Sequence, residues 1–240
     1  MDSKVALVTG ASSGIGEATA QRLATAGYNV YGTSRRRAEA GQRSFEMLSL
    51  DVTSDESVQA AIKEVMRSEG RIDLLVNNAG FGVAPAGAEE SSIDQARSIF
   101  ETNFGALYAA TKHAIEGYSE SLDHELRTKG IRVSVIEPAY TRTQFDANFV
   151  EPDSKLDEYG DVRAALGKTL KEVMAAADEP GVVADAVLKA AIAVRPKVRY
   201  TAGGLASRLR WLRRFAPASV LDAGIRKDLH LDAPIRRQRQ

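Results

Sequence analysis

Short apolar runs alternate with longer amphipathic stretches along the chain of 240 residues. The apolar runs are rich in β-branched residues, and their nearly continuous hydrophobicity is typical of parallel strands buried on both faces. We interpret the runs at 5–9, 29–33, 45–50, 74–77, 131–137 and 198–200 as strands. The amphipathic stretches predict helices over 15–26, 56–69, 93–103, 107–127, 164–177 and 182–194, with Ser54 or Asp55 as the N-cap of the second. This alternation predicts an α/β fold with a doubly wound parallel sheet.

One interval departs from the alternation. Between the strands at 74–77 and 131–137 the helical pattern runs without interruption from Ser91 to Lys129. As one rod it would be about 58 Å long, whereas a compact chain of this length is roughly 46 Å across. We expect the helix to break at Gly105. No repeat or linker divides the chain, so residues 1–240 are predicted to form a single domain.

Composition narrows the class of protein. Hydrophobic residues make up 44% and charged residues 27% of the chain, values of a globular protein. The absence of cysteine excludes disulfides, thiolate metal sites and cysteine nucleophiles, and with three scattered histidines we expect no metal site. The first apolar run is too short for the core of a signal peptide and no run has the length of a membrane span, so the cytoplasm is the expected location.

A glycine-rich turn joins the first strand to the first helix. Its glycines allow the backbone to approach a phosphate closely, and the helix N-terminus supplies unpaired N–H groups and a partial positive charge. The position between a buried strand and a helix favours a pyrophosphate site over a purely structural turn. The predicted cofactor contacts are Gly10, Ser12, Ser13, Gly14, Ile15 and Gly16.

The second strand ends in a run of three arginines that begins at Arg35, and no acidic residue occurs before Glu39. Sites for NAD place an acidic residue here for the ribose 2′-hydroxyl, whereas an arginine accommodates the 2′-phosphate of NADP. The sequence therefore favours NADP, with Arg35 as its contact. The alternative is that the arginines form only a solvated basic loop.

Five motifs, in this order, resemble those of the compact, single-domain short-chain dehydrogenase/reductases. They are the glycine-rich turn, Asp51-Val52, Asn77-Asn78-Ala79-Gly80, Tyr108-Ala-Ala-Thr-Lys112 and Pro138-Ala139-Tyr140-Thr141-Arg142-Thr143, with Ala139 in the place of a glycine. The resemblance implies a Rossmann-like sheet, a homo-oligomer and an NADP(H)-dependent oxidoreductase that interconverts an alcohol and a ketone or aldehyde. It also implies cofactor contacts at Asp51, Val52, Asn77, Ala79, Gly80, Lys112 and Thr141. The stretch 118–126 is similar to members that act on bulky lipophilic substrates.

Tyr108 and Lys112 have a chemistry that follows from their spacing. Four positions apart on a helix, their side chains share one face. A neighbouring ammonium group favours the phenolate and moves the pKa of the phenol from near 10 toward the working pH. Tyr108 is thus the predicted general acid in reduction and base in oxidation. The resemblance implies that Lys112 also holds the nicotinamide ribose and that Asn103 organises a proton-relay water.

A segment of the family pattern is missing. The family carries a serine on a strand about a dozen residues before its catalytic tyrosine, but here residues 103–107 lead directly into Tyr108, and counting back reaches Gln95 and Ala96. We therefore predict a sheet that is one central strand short. Either the strand at 131–137 slides over to pair with 74–77, or the neighbouring edges remain unpaired. Catalysis is then in question, and the alternative function is a non-catalytic dinucleotide-binding relative.

The C-terminal part of the chain is basic. Residues 199–240 carry 10 Lys+Arg and 3 Asp+Glu, so the first 198 residues have a net charge of −7. Residues 204–216 predict a basic amphipathic helix, and 204–240 are interpreted as a cap and tail. The favoured interpretation is that this helix covers the substrate cleft or contacts another subunit, with its arginines in water. The alternative is that it lies on an anionic membrane surface. The small-molecule substrate is the expected partner, and nucleic acid is not, because the body is acidic.

Overall fold

The computed structural model describes residues 3–35, 43–81, 92, 94–95, 108–145 and 149–228. In these ranges the strands are β1 (Val5–Val8), β2 (Asn29–Ser34), β3 (Glu46–Ser49), β4 (Leu74–Val76), β5 (Val135–Pro138) and β6 (Arg199–Ala202). The α-helices are α1 (Gly14–Thr25), α2 (Asp55–Glu69), α3 (Tyr108–Leu126), α4 (Gly160–Ala175), α5 (Pro180–Ile192), α6 (Gly204–Phe215) and α7 (Ala218–Asp228). Short 3-10 turns cover Arg127–Lys129 and Asp157–Tyr159. The predicted α/β fold is confirmed.

Local chemistry explains where several elements begin and end. The side chain of Ser54 accepts a hydrogen bond from the N–H of Ser57 and caps α2. Gly70 closes the same helix in the left-handed conformation, at φ 70°. The prediction for the fifth strand was wrong at its start, which lies at Val135 and not at 131. The N–H of Val133 donates to the Asp123 carboxylate at 2.9 Å instead of to a neighbouring strand. Helix α7 was not predicted, and the helix expected over 93–103 lies largely outside the described residues.

The strands form two parallel sheets. One has the order β3-β2-β1-β4 and the other consists of β5 and β6. In the larger sheet, Ala6 and Val8 of β1 pack with Leu23 of α1 on one face. Val5 and Leu7 pack with residues of β2 and α2 on the other. Helices therefore cover both faces, as in a doubly wound fold.

Helix α5 connects the two sheets. Its residues Leu188 and Ala191 pack against the cluster beneath α1, while Val183 packs with Ile15 of α1 and Ile136 of β5. Helices α1 and α5 thus form one layer over both sheets. Helix α3 lies on the opposite face of the smaller sheet, where it is bound to β6 by ion pairs.

Among the described residues, no strand pairing joins the two sheets into one. β4 pairs with β1 along one edge, and none of the described strands pairs with its other edge. β5 pairs with β6 alone, so the predicted slide of this strand onto β4 does not occur. Leu75 in the middle of β4 is 53% exposed, which is unusual for an inner parallel strand. Within the described ranges, the sheet is interrupted at the position where the sequence predicts a missing strand.

No helix in the described ranges is long and apolar enough to cross a membrane.

Candidate cofactor and catalytic site

The glycine-rich turn after β1 has a shape that only glycine permits. Gly10 and Gly14 have φ values of 67° and 59°, in the left-handed region that side chains disfavour. At Gly16 the constraint is space, because a Cβ atom there would lie 2.2 Å from the carbonyl oxygen of Gly10. The turn is therefore compact, and it brings the backbone to the start of α1 with no side chain in the way.

Asn78 fixes the turn to the end of β4. Its side-chain amide donates to the carbonyl oxygens of Thr9, at 2.9 Å, and Gly10, at 3.2 Å. In return, the Thr9 hydroxyl oxygen accepts from the backbone N–H groups of Asn78, at 2.9 Å, and Ala79, at 3.0 Å. Residues 77–80 were predicted to form part of the cofactor cradle, with Asn77, Ala79 and Gly80 as the named contacts; the structure gives Asn78 the role of holding the turn in place. Its only sequence signal is its place inside the same motif.

A cleft of about 330 Å³ opens at the N-terminus of α1. Ser13 is the N-cap, yet its side chain makes no capping hydrogen bond, so the N–H groups of the first turn have no intrahelical acceptor. The residues that line the cleft are Ser13, Gly14, Glu17, Arg142, Thr143, Gln144, Glu179 and Pro180. Both acidic residues are paired with arginines, Glu17 with Arg43 at 3.4 Å and Glu179 with Arg142 at 2.8 Å. The amide donors and the balanced charges fit a diphosphate group.

The loop after β5 supplies the opposite wall of this cleft. A Cβ atom on Gly14 would lie 3.2 Å from the Cβ and Cγ2 atoms of Thr143, so the two residues are in close contact. Thr141, the predicted contact, uses its hydroxyl within its own loop, where it donates to the carbonyl oxygen of Ala139 at 3.3 Å. Its backbone forms a bridge with Asp178. The structure thus brings Thr143, which was not among the predicted contacts, to the glycine-rich turn.

Arg35 and Asp51 lie at the carboxyl end of β2 and just after β3. Asp51 accepts from the N–H and hydroxyl of Thr53, at 3.0 and 2.8 Å. These bonds, with a smaller contribution from the charge of Arg35, hold the pKa of the Asp51 carboxyl below its usual value. Arg35 is exposed and Val52 half-buried, and the two arginines after Arg35 lie outside the described residues.

Arg43 is a second cation at the turn. Its guanidinium group donates to the carbonyl oxygen of Ser12 and pairs with Glu17, both at 3.4 Å. The sequence offered no signal for this role, because Arg43 lies in the loop before β3, far along the chain from Ser12.

Helix α3 carries the predicted acid/base pair. The backbone places Tyr108 at its first position and Lys112 one turn later. The Lys112 side chain as a whole is exposed, but surrounding atoms displace water from its ammonium group and lower the pKa of Lys112. Asn103 lies outside the described residues, as does the expected break at Gly105.

Buried Asp123 anchors the far end of α3. Its carboxylate is 1% exposed, pairs with Arg127 on the same helix, accepts from Arg132 at 2.9 Å and accepts from the N–H of Val133. Arg132 is the largest reason why the pKa of Asp123 lies well below its usual range, and Arg127 and the Val133 N–H add to it. The end of α3 is therefore fixed to the segment that leads into β5.

Arg199 of β6 anchors the middle of α3. Its guanidinium group pairs with Glu116 and Glu120 of α3, both at 2.8 Å, and with Glu137 of β5 at 2.5 Å. Hydrogen bonds to these carboxylates, with that of Glu120 largest, raise the pKa of Arg199 above its usual value. The helix that carries Tyr108 and Lys112 is thus held by the smaller sheet.

Comparison with known proteins decides the family. The sequence profile described as short chain dehydrogenase matches residues 4–107 and, in a second segment, residues 104–154. The chain belongs to the short-chain dehydrogenase family. This family membership makes it an oxidoreductase by type, with the parallel-sheet fold described above.

Its relatives include proteins of several activities. A 3-ketodihydrosphingosine reductase of Bacteroides thetaiotaomicron is 32% identical, over 67% of this chain and 73% of the relative. The uncharacterized oxidoreductase YbbO of Escherichia coli is 29% identical, over 91% of this chain and 93% of the relative. A crystal structure of a short-chain dehydrogenase from Streptomyces avermitilis is 27% identical with a TM-score of 0.75, covering 96% of this chain and 98% of that one.

The alignments with these relatives contain positions that have no counterpart in this chain. The alignment with YbbO runs over 261 positions, although the whole chain has 240 residues and only 91% of them take part. The alignment with the Bacteroides reductase runs over 200 positions and includes 67% of the chain. In both alignments, about forty positions of the relative are therefore unmatched here.

Proposed function

We propose that this short-chain dehydrogenase binds NADP(H) and interconverts an alcohol and a ketone or aldehyde. The observation that carries the proposal is the turn at Gly10–Gly16, where free amide donors open onto a cleft walled by Thr143. Within the family, such a turn belongs to a nicotinamide dinucleotide. The bound nicotinamide ring donates or accepts the hydride.

Different residues around the turn are assigned to different parts of the cofactor. The first-turn amides of α1 hold the diphosphate, Asp51 and Val52 flank the adenine, and Asn77, Ala79 and Gly80 line the approach to the ribose. Arg35 binds the 2′-phosphate, with Arg43 as a second cation beside Ser12. The presence of these two cations beside the turn supports NADP over NAD.

The proton of the reaction is assigned to Tyr108. The ammonium group of Lys112, one helical turn away, favours the phenolate and so makes the phenol a stronger acid. Removal of water from this ammonium group strengthens its electrostatic effect on a nearby phenol. Tyr108 then gives a proton to the carbonyl oxygen in reduction and takes it back in oxidation.

We propose that the substrate is bulky and lipophilic. An apolar cavity of about 390 Å³ lies beside the loop after β5, lined by Tyr140, Glu172, Val173, Ala176, Ala177, Asp178 and Leu205. The name of the Bacteroides relative, 3-ketodihydrosphingosine reductase, denotes a long-chain ketone, which supports this class. We also propose, from the family resemblance, a homo-oligomer in the cytoplasm; light scattering and cell fractionation test these two points.

The proposed activity is low, because a segment of the family pattern is missing. The forty unmatched positions, the restart of the family match at 104–107 and the unpaired edge of β4 all support an internal deletion before Tyr108. Loss of one donor to a developing oxyanion costs about 2.7–4 kcal/mol, or roughly 10²- to 10³-fold in rate. The open edge of β4 also favours a second candidate function, a protein that binds the dinucleotide without turnover.

Two measurements separate these functions. NADPH binding is followed by the fluorescence of the reduced nicotinamide, and NADPH consumption is followed with a panel of long-chain and cyclic ketones. Slow turnover that is lost in Tyr108→Phe, with NADPH affinity unchanged, supports the enzyme. Binding without turnover for every ketone supports the second function, and turnover that is equal in Tyr108→Phe contradicts the acid/base assignment.

Cofactor choice is tested at Arg35. Arg35→Ala is expected to weaken NADPH at least tenfold and NADH less than threefold, because only NADPH carries the 2′-phosphate. Arg67→Ala, an exposed arginine of α2 paired with Glu64, is the matched control and is expected to change neither affinity. Equal weakening of both nucleotides by Arg35→Ala contradicts the assignment to the 2′-phosphate.

A further inference from the structure

Helix α6 contacts the rest of the protein through its small and polar face. Ala206 is its one buried residue. The Ser207 hydroxyl lies 3.0 Å from that of Thr201, and the guanidinium group of Arg213 lies 2.7 Å from Nε2 of His113 on α3. The helix is thus fixed beside α3, close to Lys112, by contacts that leave its apolar face unused.

The apolar face of α6 points into solvent. Its exposed side chains are Leu205 (45%), Leu209 (50%), Trp211 (63%), Leu212 (42%) and Phe215 (61%). Trp211, Leu212 and Phe215 lie on the side away from Ala206, Leu205 and Leu209 lie at the edge of this face, and Arg208 lies among them. The rings of Trp211 and Phe215 are in contact, with centroids 5.2 Å apart. An amphipathic helix normally turns this face to the core. A contiguous exposed apolar patch of this kind marks an interaction surface.

The charges around the patch specify what it binds. Arg208, Arg210 and Arg214 are exposed on α6, and no acidic residue occurs from Gly203 to Leu221. The first 198 residues carry a net charge of −7. An anionic surface therefore attracts the α6 end and repels the body, which orients the molecule with α6 toward that surface.

We propose that α6 docks this protein onto an anionic lipid bilayer. Leu209, Trp211, Leu212 and Phe215 enter the boundary between headgroups and acyl chains, and the arginines contact lipid phosphates. A second copy of the chain is disfavoured as the occupant, because a self-complementary contact would bring two sets of arginines together.

Docking in this way also places a cavity at the bilayer. Leu205, at the start of the apolar face, lines the cavity beside Tyr140 that we assign to a lipophilic substrate. A substrate dissolved in the membrane would then reach the cavity without crossing water. This consequence rests on the proposed function, whereas docking itself does not.

Trp211 reports directly on the proposal, because it is the only tryptophan of the chain. Vesicles of phosphatidylglycerol and phosphatidylcholine are expected to shift its fluorescence to the blue, and to bind the protein at least tenfold more tightly than vesicles of phosphatidylcholine alone. Co-sedimentation with the vesicles gives a second readout. Binding is expected to weaken with added salt, since salt screens the arginines.

Variants separate the two contributions to binding. The pair Leu209→Ser and Leu212→Ser is expected to weaken binding at least tenfold, because two apolar side chains no longer enter the bilayer. Arg208→Glu with Arg210→Glu is expected to weaken it more than 25-fold, at about fivefold for each positive charge lost. The matched control on α2, Ile62→Ser with Lys63→Glu, changes an exposed apolar and a basic residue and is expected to leave binding unchanged.

Three results would overturn the proposal. They are an unshifted Trp211 emission with anionic vesicles, equal binding to both vesicle types, and a control variant that weakens binding as much as the α6 variants. Sedimentation velocity without lipid adds a fourth: if Leu209→Ser with Leu212→Ser reduces the mass of the assembly, a second copy covers this face. None of these readouts needs turnover, so their failure leaves the proposed oxidoreductase function untouched.

Discussion

Gly16→Ala tests whether the turn after β1 is built for a bound phosphate. The added methyl group would lie 2.2 Å from the carbonyl oxygen of Gly10 and 2.5 Å from Nδ2 of Asn78. Ordinary contact begins at 3.4 Å, so the Gly10 oxygen must retreat by more than an ångström. It cannot do so alone, because the Gly10 carbonyl and Asn78 are hydrogen-bonded to each other.

The magnitude follows from this displacement. Overfilling a packed site costs typically about 1–3 kcal/mol, and we expect the free energy of unfolding to fall by that amount. A misplacement of about 1 Å in groups that position a reactant costs up to roughly 100-fold in rate, and we expect a loss of NADPH affinity that does not exceed this factor. NADPH affinity of Gly16→Ala is therefore expected to fall between 10- and 100-fold, with the far-ultraviolet circular dichroism of the folded protein retained.

The assay is titration of NADPH beside urea unfolding of the same samples. Gly167→Ala in α4 is the matched control, since a Cβ atom there meets nothing within 4 Å. Alanine is the better helix former by about 1 kcal/mol, so the control is expected to gain stability and keep its NADPH affinity. If Gly16→Ala does not fold, Gly14→Ala takes its place, where the positive φ of 59° costs about 1–2 kcal/mol. A folded variant at either position that binds NADPH within threefold of the wild type refutes the reasoning.

Two further predictions concern the side-chain anchors. Asp123→Ala is expected to lower the free energy of unfolding by about 2–4 kcal/mol, because the buried carboxylate is the shared acceptor for Arg127, Arg132 and the Val133 N–H. Asp185 is exposed and paired with one arginine, so Asp185→Ala is expected to cost less than about 1 kcal/mol. The folded-state pKa of Asp123 is depressed, so the difference from wild type should stay constant above about pH 4 and shrink as the pH falls below that value; a constant difference down to pH 3 would contradict it. Asn78→Ala is expected to lower the free energy of unfolding by about 1–3 kcal/mol and to weaken NADPH binding. The control Asn29→Ala loses one exposed hydrogen bond and should change neither quantity. Equal effects of the two variants would contradict the role assigned to Asn78.

The elements that could be predicted are those with a strong local pattern. Strand β1 and helix α1 follow from an apolar run, a glycine turn and a helical periodicity, which succeed one another without a gap between Val5 and Thr25. The start of β5 could not be predicted, because Ile131 and Val133 suit a strand equally well. The strand begins only at Val135 because the N–H of Val133 donates to the Asp123 carboxylate, which lies ten positions earlier in the sequence. The local sequence gives no signal for a strand boundary that is set by such a distant side chain.

The same limit applies to the site. Gly10, Gly14 and Gly16 could be selected from the motif, since glycine itself is the signal. The motif at residues 77–80 includes Asn78 but gives no sign of its bonds to the glycine-rich turn, and Thr143 could not be selected at all. Both roles arise from contacts with that turn, which lies far from both residues in the sequence. The local sequence does not determine which side of a loop a threonine side chain will face. The predicted cofactor contact was Thr141, whereas the fold brings Thr143 to the turn.

We propose that the interruption of the sheet within the described ranges separates cofactor binding from turnover. The groups assigned to the diphosphate and the 2′-phosphate lie on α1, at the end of β2 and in the loop before β3, and therefore belong to the four-stranded sheet. Only the facing wall of the cleft, at Thr143, follows a strand of the smaller sheet. The helix with Tyr108 and Lys112 is held instead by Arg199 of the smaller sheet. The two sheets are connected through α1 and α5, and in the described ranges no backbone ladder joins them. We therefore propose that dinucleotide binding persists while the distance from the nicotinamide to the acid/base pair varies, and that this distance sets the rate.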